Sequence, residues 1–180
     1  MKKLLILLLA IVLLITACSI DLSKIRSEQL TALMNEEGTK IQQMSNDIIK
    51  CFTEKDKEAL KNLFCEQIRN RPDFDDEIDK AFEFFVCDGY INSNIDTSAG
   101  GGESIESGKH ISWDVFPEIP YINTIFDADG DPSTPMEDRY YGMHYYWQIV
   151  KEDDKSLEGL QYITVELLNV GSIKIGEKID

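Results

Sequence analysis

The strongest constraint on this chain is a change of hydrophobic period at Gly89: apolar residues recur every three or four positions before it and every second position after it. Ile41, Met44, Ile48 and Phe52 predict a first helix ending near Thr53, with Gln42, Asn46 and Lys50 elsewhere on the turn. Asp56, placed before Lys57-Glu58-Ala59, is positioned to accept from an unpaired backbone N–H and start a second helix. Leu60, Leu63 and Phe64 form its apolar stripe. Pro72 breaks the chain, and Asp73 or Asp75 can cap a third helix with Ile78, Ala81, Phe82 and Phe85 on one face. Gly89 is its stop signal.

Beyond Gly89 the alternation is that of strands. Tyr90 to Ile95 reads as a strand, and Ser98-Ala99-Gly100-Gly101-Gly102 as a flexible loop. Ile111, Trp113 and Val115 alternate with Ser112 and Asp114, as in a strand with one buried face. Pro117 and Pro120 make Ile119 to Phe126 either a separate strand or a continuation past a bulge. Tyr140 to Val150 carries the clearest alternation, with Tyr141, Met143, Tyr145, Trp147 and Ile149 on one face and Tyr140, His144, Tyr146 and Gln148 on the other. Bulk on both faces predicts a central strand. Glu152 to Ser156 is a charged turn, and Gly159 to Asn169 returns as a strand with Ile163, Val165 and Leu167 on one side. The expected class is α+β: three N-terminal helices packed on a curved antiparallel sheet of about four strands.

The N-terminus carries an address. Lys2 and Lys3 precede an apolar run from Leu4 to Ile15, then short side chains at Thr16 and Ala17, which is the layout of a signal peptide. The run is shorter than the roughly 20 residues a helix needs to cross a bilayer. Ile15-Thr16-Ala17-Cys18 resembles the bacterial lipobox, in which the cysteine thiol is acylated and the chain is cut at its amino side. The expectation is a leader at residues 1–17, a lipidated Cys18 followed by a polar spacer to residue 40, and one domain at 41–180. The location implied is the extracytoplasmic face of a cell membrane, reached through the lipid.

Loss of the leader removes two lysines and leaves 16 basic against 33 acidic residues, a formal balance of −17. Nucleic acid is excluded as a partner on this charge, because phosphate binding needs Lys and Arg clusters. Attraction to anionic lipid is opposed for the same reason, so the tether is covalent. With Cys18 acylated, Cys51, Cys65 and Cys87 remain, and an odd number cannot all pair within the chain. Three buried thiols, or one bridge and one free thiol, both satisfy the sequence; the apolar helical surroundings favour the first.

The order of elements, the Lys-Asp-x-x-Ala-Leu-x-x-Leu-Phe run at Lys55 to Phe64 and the acidic start of the third helix resemble a family of lipoproteins of Gram-positive bacteria with a domain of unknown function. That resemblance, spanning Ile41 to Val170, implies a cystatin-like cone of the nuclear-transport-factor-two type. Such a cone has a curved sheet around a long helix and a cavity open at one end. It implies no catalytic residues.

Two clusters are candidates for chemistry. Asp127, Asp129, Asp131 and Asp138 place carboxylates where calcium could be held, although Pro132 stands where an EF-hand-like loop needs glycine. The same residues also make a solvated turn, which is the favoured reading. Tyr140, His144 and Tyr146 share one strand face, and Asp114 can approach from a neighbouring strand to line a ligand pocket with them. The leading expectation is a non-enzymatic domain binding a small ligand or an envelope protein, with no cofactor beyond possible calcium. A hydrolase or isomerase using His144 with a carboxylate, and an interaction protein acting through its sheet surface, are the alternatives.

Overall fold

The structure, a computed structural model, describes residues 31–179 apart from 33, 129 and 131–135. The leader, Ala17 and Cys18, and the candidate ligands Asp129 and Asp131, lie outside the described residues. The chain divides into two compact units, 1–40 and 41–180. The described part of the first unit is helical, although it falls within the expected spacer. Thr39 Oγ1 donates to the Asn35 carbonyl at 2.8 Å, and Lys40 pairs with Glu36 one turn back at 3.4 Å.

The second unit opens with helix α1 (41–54), followed by α2 (Lys57–Leu63), α3 (Glu66–Arg69) and α4 (Phe74–Phe84). Asp56 caps α2 as expected, accepting from the Ala59 N–H at 2.9 Å. Phe64 leaves the helix in an extended conformation and forms a parallel bridge to Leu160, so it joins the core from outside α2. Asp73 occupies the cap position of α4 without a capping bond; its carboxylate instead takes Arg71 Nη2 at 3.0 Å.

Strands β1 (Gly89–Glu106), β2 (Lys109–Phe126), β3 (Glu137–Lys151), β4 (Gly159–Leu167) and β5 (Gly171–Gly176) form one antiparallel sheet in sequence order. The class is α+β, helices then antiparallel sheet, as the change of period required. Among the described residues there are four α-helices rather than three, and five strands rather than four.

The expected loop at Ser98 to Gly102 is part of β1, with Gly100, Gly101 and Gly102 opposite Phe116, Val115 and Asp114. The physical reason is close approach: a Cβ at Gly101 would lie 2.1 Å from the Asp114 carbonyl oxygen, a separation only glycine permits. Pro117 and Pro120 do not end β2. The chain continues past them through register shifts, one against β1 between Asp96 and Gly100 and one against β3 between Ile119 and Ile122.

Strand β3 is central. Its odd-numbered side chains Tyr141, Met143 and Tyr145 enter the main core with Phe52, Phe74, Ile78 and Phe85 from the helices and Ile163 and Val165 from β4. The buried tyrosines each keep a hydrogen bond for the hydroxyl, as burial demands. Tyr141 donates to the Phe84 carbonyl at 3.1 Å and accepts from the Val86 N–H at 2.9 Å. Tyr145 exchanges a bond with Ser45 Oγ at 2.9 Å, and burial pushes its hydroxyl pKa upward. These bonds fix β3 against α1 and α4, and the even-numbered face turns away from the helices.

Candidate functional site

On that second face, a shift of register between Tyr146 and Trp147 pairs Tyr146 with Tyr162 and Trp147 with Leu160, so Gln161 is the extra residue of a bulge. The bulge sits where β2, β3 and β4 meet the β3–β4 turn and the C-terminal tail. Together they line an open cavity of about 590 Å3. Its floor is Ser112 and Asp114 from β2 with Tyr146 and Gln148 from β3. Lys151, Asp153, Asp154 and Leu157 form one wall, and Gln161 with Lys178 and Ile179 of the tail forms the other.

The floor is held rigidly. Gln148 Nε2 donates to the Val150 carbonyl at 2.6 Å and to the Trp113 carbonyl at 3.1 Å, while its Oε1 accepts from the Tyr146 hydroxyl at 3.2 Å. Burial, then the Asp114 charge, push the Tyr146 hydroxyl up to about 12, so it stays neutral at physiological pH. The tail wall is tied by the Ile179 N–H, which donates to Gln161 Oε1 at 2.9 Å. The Gly176 N–H is held by Glu77 Oε2 at 2.8 Å, and Glu77 Oε1 takes Arg71 Nη2 at 2.7 Å.

An aromatic ladder borders the cavity. The Phe116 and Tyr146 ring centroids are 4.7 Å apart, and Tyr146 and Tyr162 stack at 6.1 Å with an interplanar angle of 16°. The Lys178 ammonium lies 4.9 Å above the Tyr146 ring and 5.4 Å above that of Phe116; Lys174 lies 4.3 Å above Tyr162.

Of the four side chains expected to line a pocket, the structure brings Asp114 and Tyr146 together and leaves His144 and Tyr140 outside. The reason is strand geometry: side chains on one face recur roughly every 7 Å along the strand, so three alternate positions cannot converge on one point. His144 faces Glu118 across the β2–β3 ladder, and its Nδ1 is 3.9 Å from Glu166 Oε1. Asp114 stands opposite Gln148 instead, which removes the expected pairing of His144 with that carboxylate. Tyr140 packs against Tyr121 at 5.4 Å beside a cavity of about 150 Å3 that also contains Leu168. Phe116, Tyr162, Gln161 and Lys178 were not expected at the site. The alternation Ser172-Ile173-Lys174-Ile175 was a legible signal for β5, whose Lys174 reaches this ladder.

In the acidic loop, Asp127 Oδ1 accepts from the Gly130 N–H at 2.7 Å, and Asp138 Oδ2 accepts from the Tyr140 hydroxyl at 3.3 Å. Among the described residues no three His, Cys, Asp or Glu side chains are grouped to hold a metal ion. Cys51, Cys65 and Cys87 are free thiols, all with pKa values raised by burial, Cys51 to about 11. That holds them in the unreactive protonated form at neutral pH. Among the described residues no helix is long and apolar enough to cross a membrane.

No curated protein matches the chain. Residues 47–172, which include all four helices in part or whole and the sheet as far as the start of β5, match the model of a domain of unknown function, DUF5104. The chain therefore belongs to the DUF5104 family.

Proposed function

We propose that this chain is a lipoprotein of a Gram-positive bacterium, anchored through Cys18 to the extracytoplasmic face of the membrane, whose α+β unit binds a small polar ligand. The observation that carries the binding role is the cavity beside Asp114 and Tyr146. Its volume of about 590 Å3 falls within the range of roughly 300–1,000 Å3 used for small molecules. Polar groups on its floor are fixed by Gln148, so a ligand meets a site already organised and loses little free energy in ordering it. The cystatin-like cone belongs to the same reading as the architecture of the α+β unit, with this cavity on the sheet face turned away from the helices rather than inside the cone. Anchoring rests on the leader and on Ile15-Thr16-Ala17-Cys18. His144 lies outside the cavity and has no assigned role in binding.

A thermal-shift screen of the full chain against small polar compounds tests the binding role. A ligand at about a hundredfold excess over its Kd should raise Tm by roughly 5 °C or more. The shift should disappear in Asp114→Ala and Tyr146→Phe. Hits whose shifts survive both substitutions would place binding elsewhere and sink the proposal.

A further inference from the structure

We infer that the cavity takes an organic ammonium ion, and that the Lys178 side chain occupies this cation position when the ligand is absent; the inference rests on the binding role proposed above. Lys178 belongs to the exposed tail, yet its ammonium is 4.9 Å from the Tyr146 ring centroid and 5.4 Å from that of Phe116. Two aromatic faces that meet at 4.7 Å and share one cation are the construction that recognises ammonium groups, because each ring face carries the negative part of its quadrupole.

The charged groups around the cavity agree with a cation. Lys151 is engaged by Asp153 at 3.6 Å. The Asp154 carboxylate is committed to its own turn, accepting from the Ser156 N–H at 3.0 Å and from Gln67 Nε2 at 3.1 Å. Asp114, which lines the cavity beside Tyr146, is left as the acidic group next to the aromatic faces. A formal net charge of −15 further favours the approach of cations over anions.

The test is calorimetric titration of the full chain, held in a maltoside detergent, with choline chloride against sodium chloride at equal ionic strength. Glucose and sodium acetate serve as neutral and anionic probes. Choline should bind at one site where sodium does not. K178A should bind it about fivefold tighter, the gain expected when an occupant filling the cage for roughly four-fifths of the time is removed. F116A, which alters an exposed ring, should bind it at least fivefold more weakly. Choline binding no better than sodium, or an affinity unmoved by both substitutions, overturns the inference. Glucose or acetate binding that depends on Asp114 and Tyr146 would overturn the cation assignment and leave the cavity as the binding site. Binding of no probe in a chain whose cavity also fails the thermal-shift screen removes both.

Discussion

At Gly101 a single hydrogen atom decides whether two backbones can meet. An added Cβ would sit 2.1 Å from the Asp114 carbonyl oxygen, whereas at Gly100 it would meet nothing within 4 Å. Gly101→Ala is expected to cost about 2 kcal/mol or more and Gly100→Ala less than about 0.5 kcal/mol in urea unfolding. Equal midpoints would show that the β1–β2 approach is looser than described. This contrast also explains why the glycine run was illegible as strand: residues without side chains carry no alternation, and their pairing is dictated by the partner. Cys51 gives a second residue-scale expectation. Burial, then the charges of Asp56, Asp47 and Glu54, raise its thiol from 9.0 to about 11. The folded state therefore holds this proton more tightly than the unfolded chain does. The resulting stability is fully present below pH 9 and is lost as pH rises through 11, amounting to about 3 kcal/mol. Tyr146, raised to about 12 chiefly by burial, extends the same loss to higher pH. Urea midpoints between pH 8 and pH 11, roughly the span of this titration, should fall less steeply for Cys51→Ala than for the parent chain. Parallel slopes would remove Cys51 from the account.

The elements divide into those whose own residues reveal them and those completed by neighbours. α1, α2 and α4 repeat their apolar face over enough turns to be read, and Asp56 announces the start of α2 through the bond it makes. Asp56→Ala should lower stability by about 1 kcal/mol. Circular dichroism during thermal melting would check it, and an unchanged Tm would mean that α2 is held by Leu60 and its packing alone. α3 has four residues, scarcely one turn, so no period could show, and Ile68 reaches the core without a legible stripe. Phe64 sits at helical spacing but is taken out of α2 by its bridge to Leu160, a contact between residues distant in sequence. β5 alternates over Ser172 to Ile175, a legible but short signal whose pairing is set by its ladder with β4. The candidate site shows the same limit. Alternation put Asp114 and Tyr146 on a face away from the core, but the bulge at Gln161 and the return of Lys178 depend on contacts that no local pattern records.

At the scale of the whole molecule, the proposed anchor and the fold make separable demands on the chain. Among the described residues the main core is drawn from Ile48 to Ile175, all of it beyond Cys18 in sequence, so acylation and folding should respond independently to substitution. The balance of −17 that loss of the proposed leader would leave opposes adhesion to an anionic membrane surface. Retention would then rest on the acyl chains alone, at about 0.8 kcal/mol for each buried methylene, with two chains holding far longer than one. Cys18→Ser removes the thiol that would be acylated and changes nothing in the described residues. Cells expressing it with a clickable palmitate analogue should show no labelled protein, and the protein should leave the membrane fraction or keep its leader. Its Tm and far-ultraviolet circular dichroism should match those of the parent chain. A Cys18→Ser protein that still takes up label would move the lipid to another residue. One that loses label yet stays in the membrane after leader removal would require a second means of attachment, one that must overcome the repulsion of a strongly acidic chain.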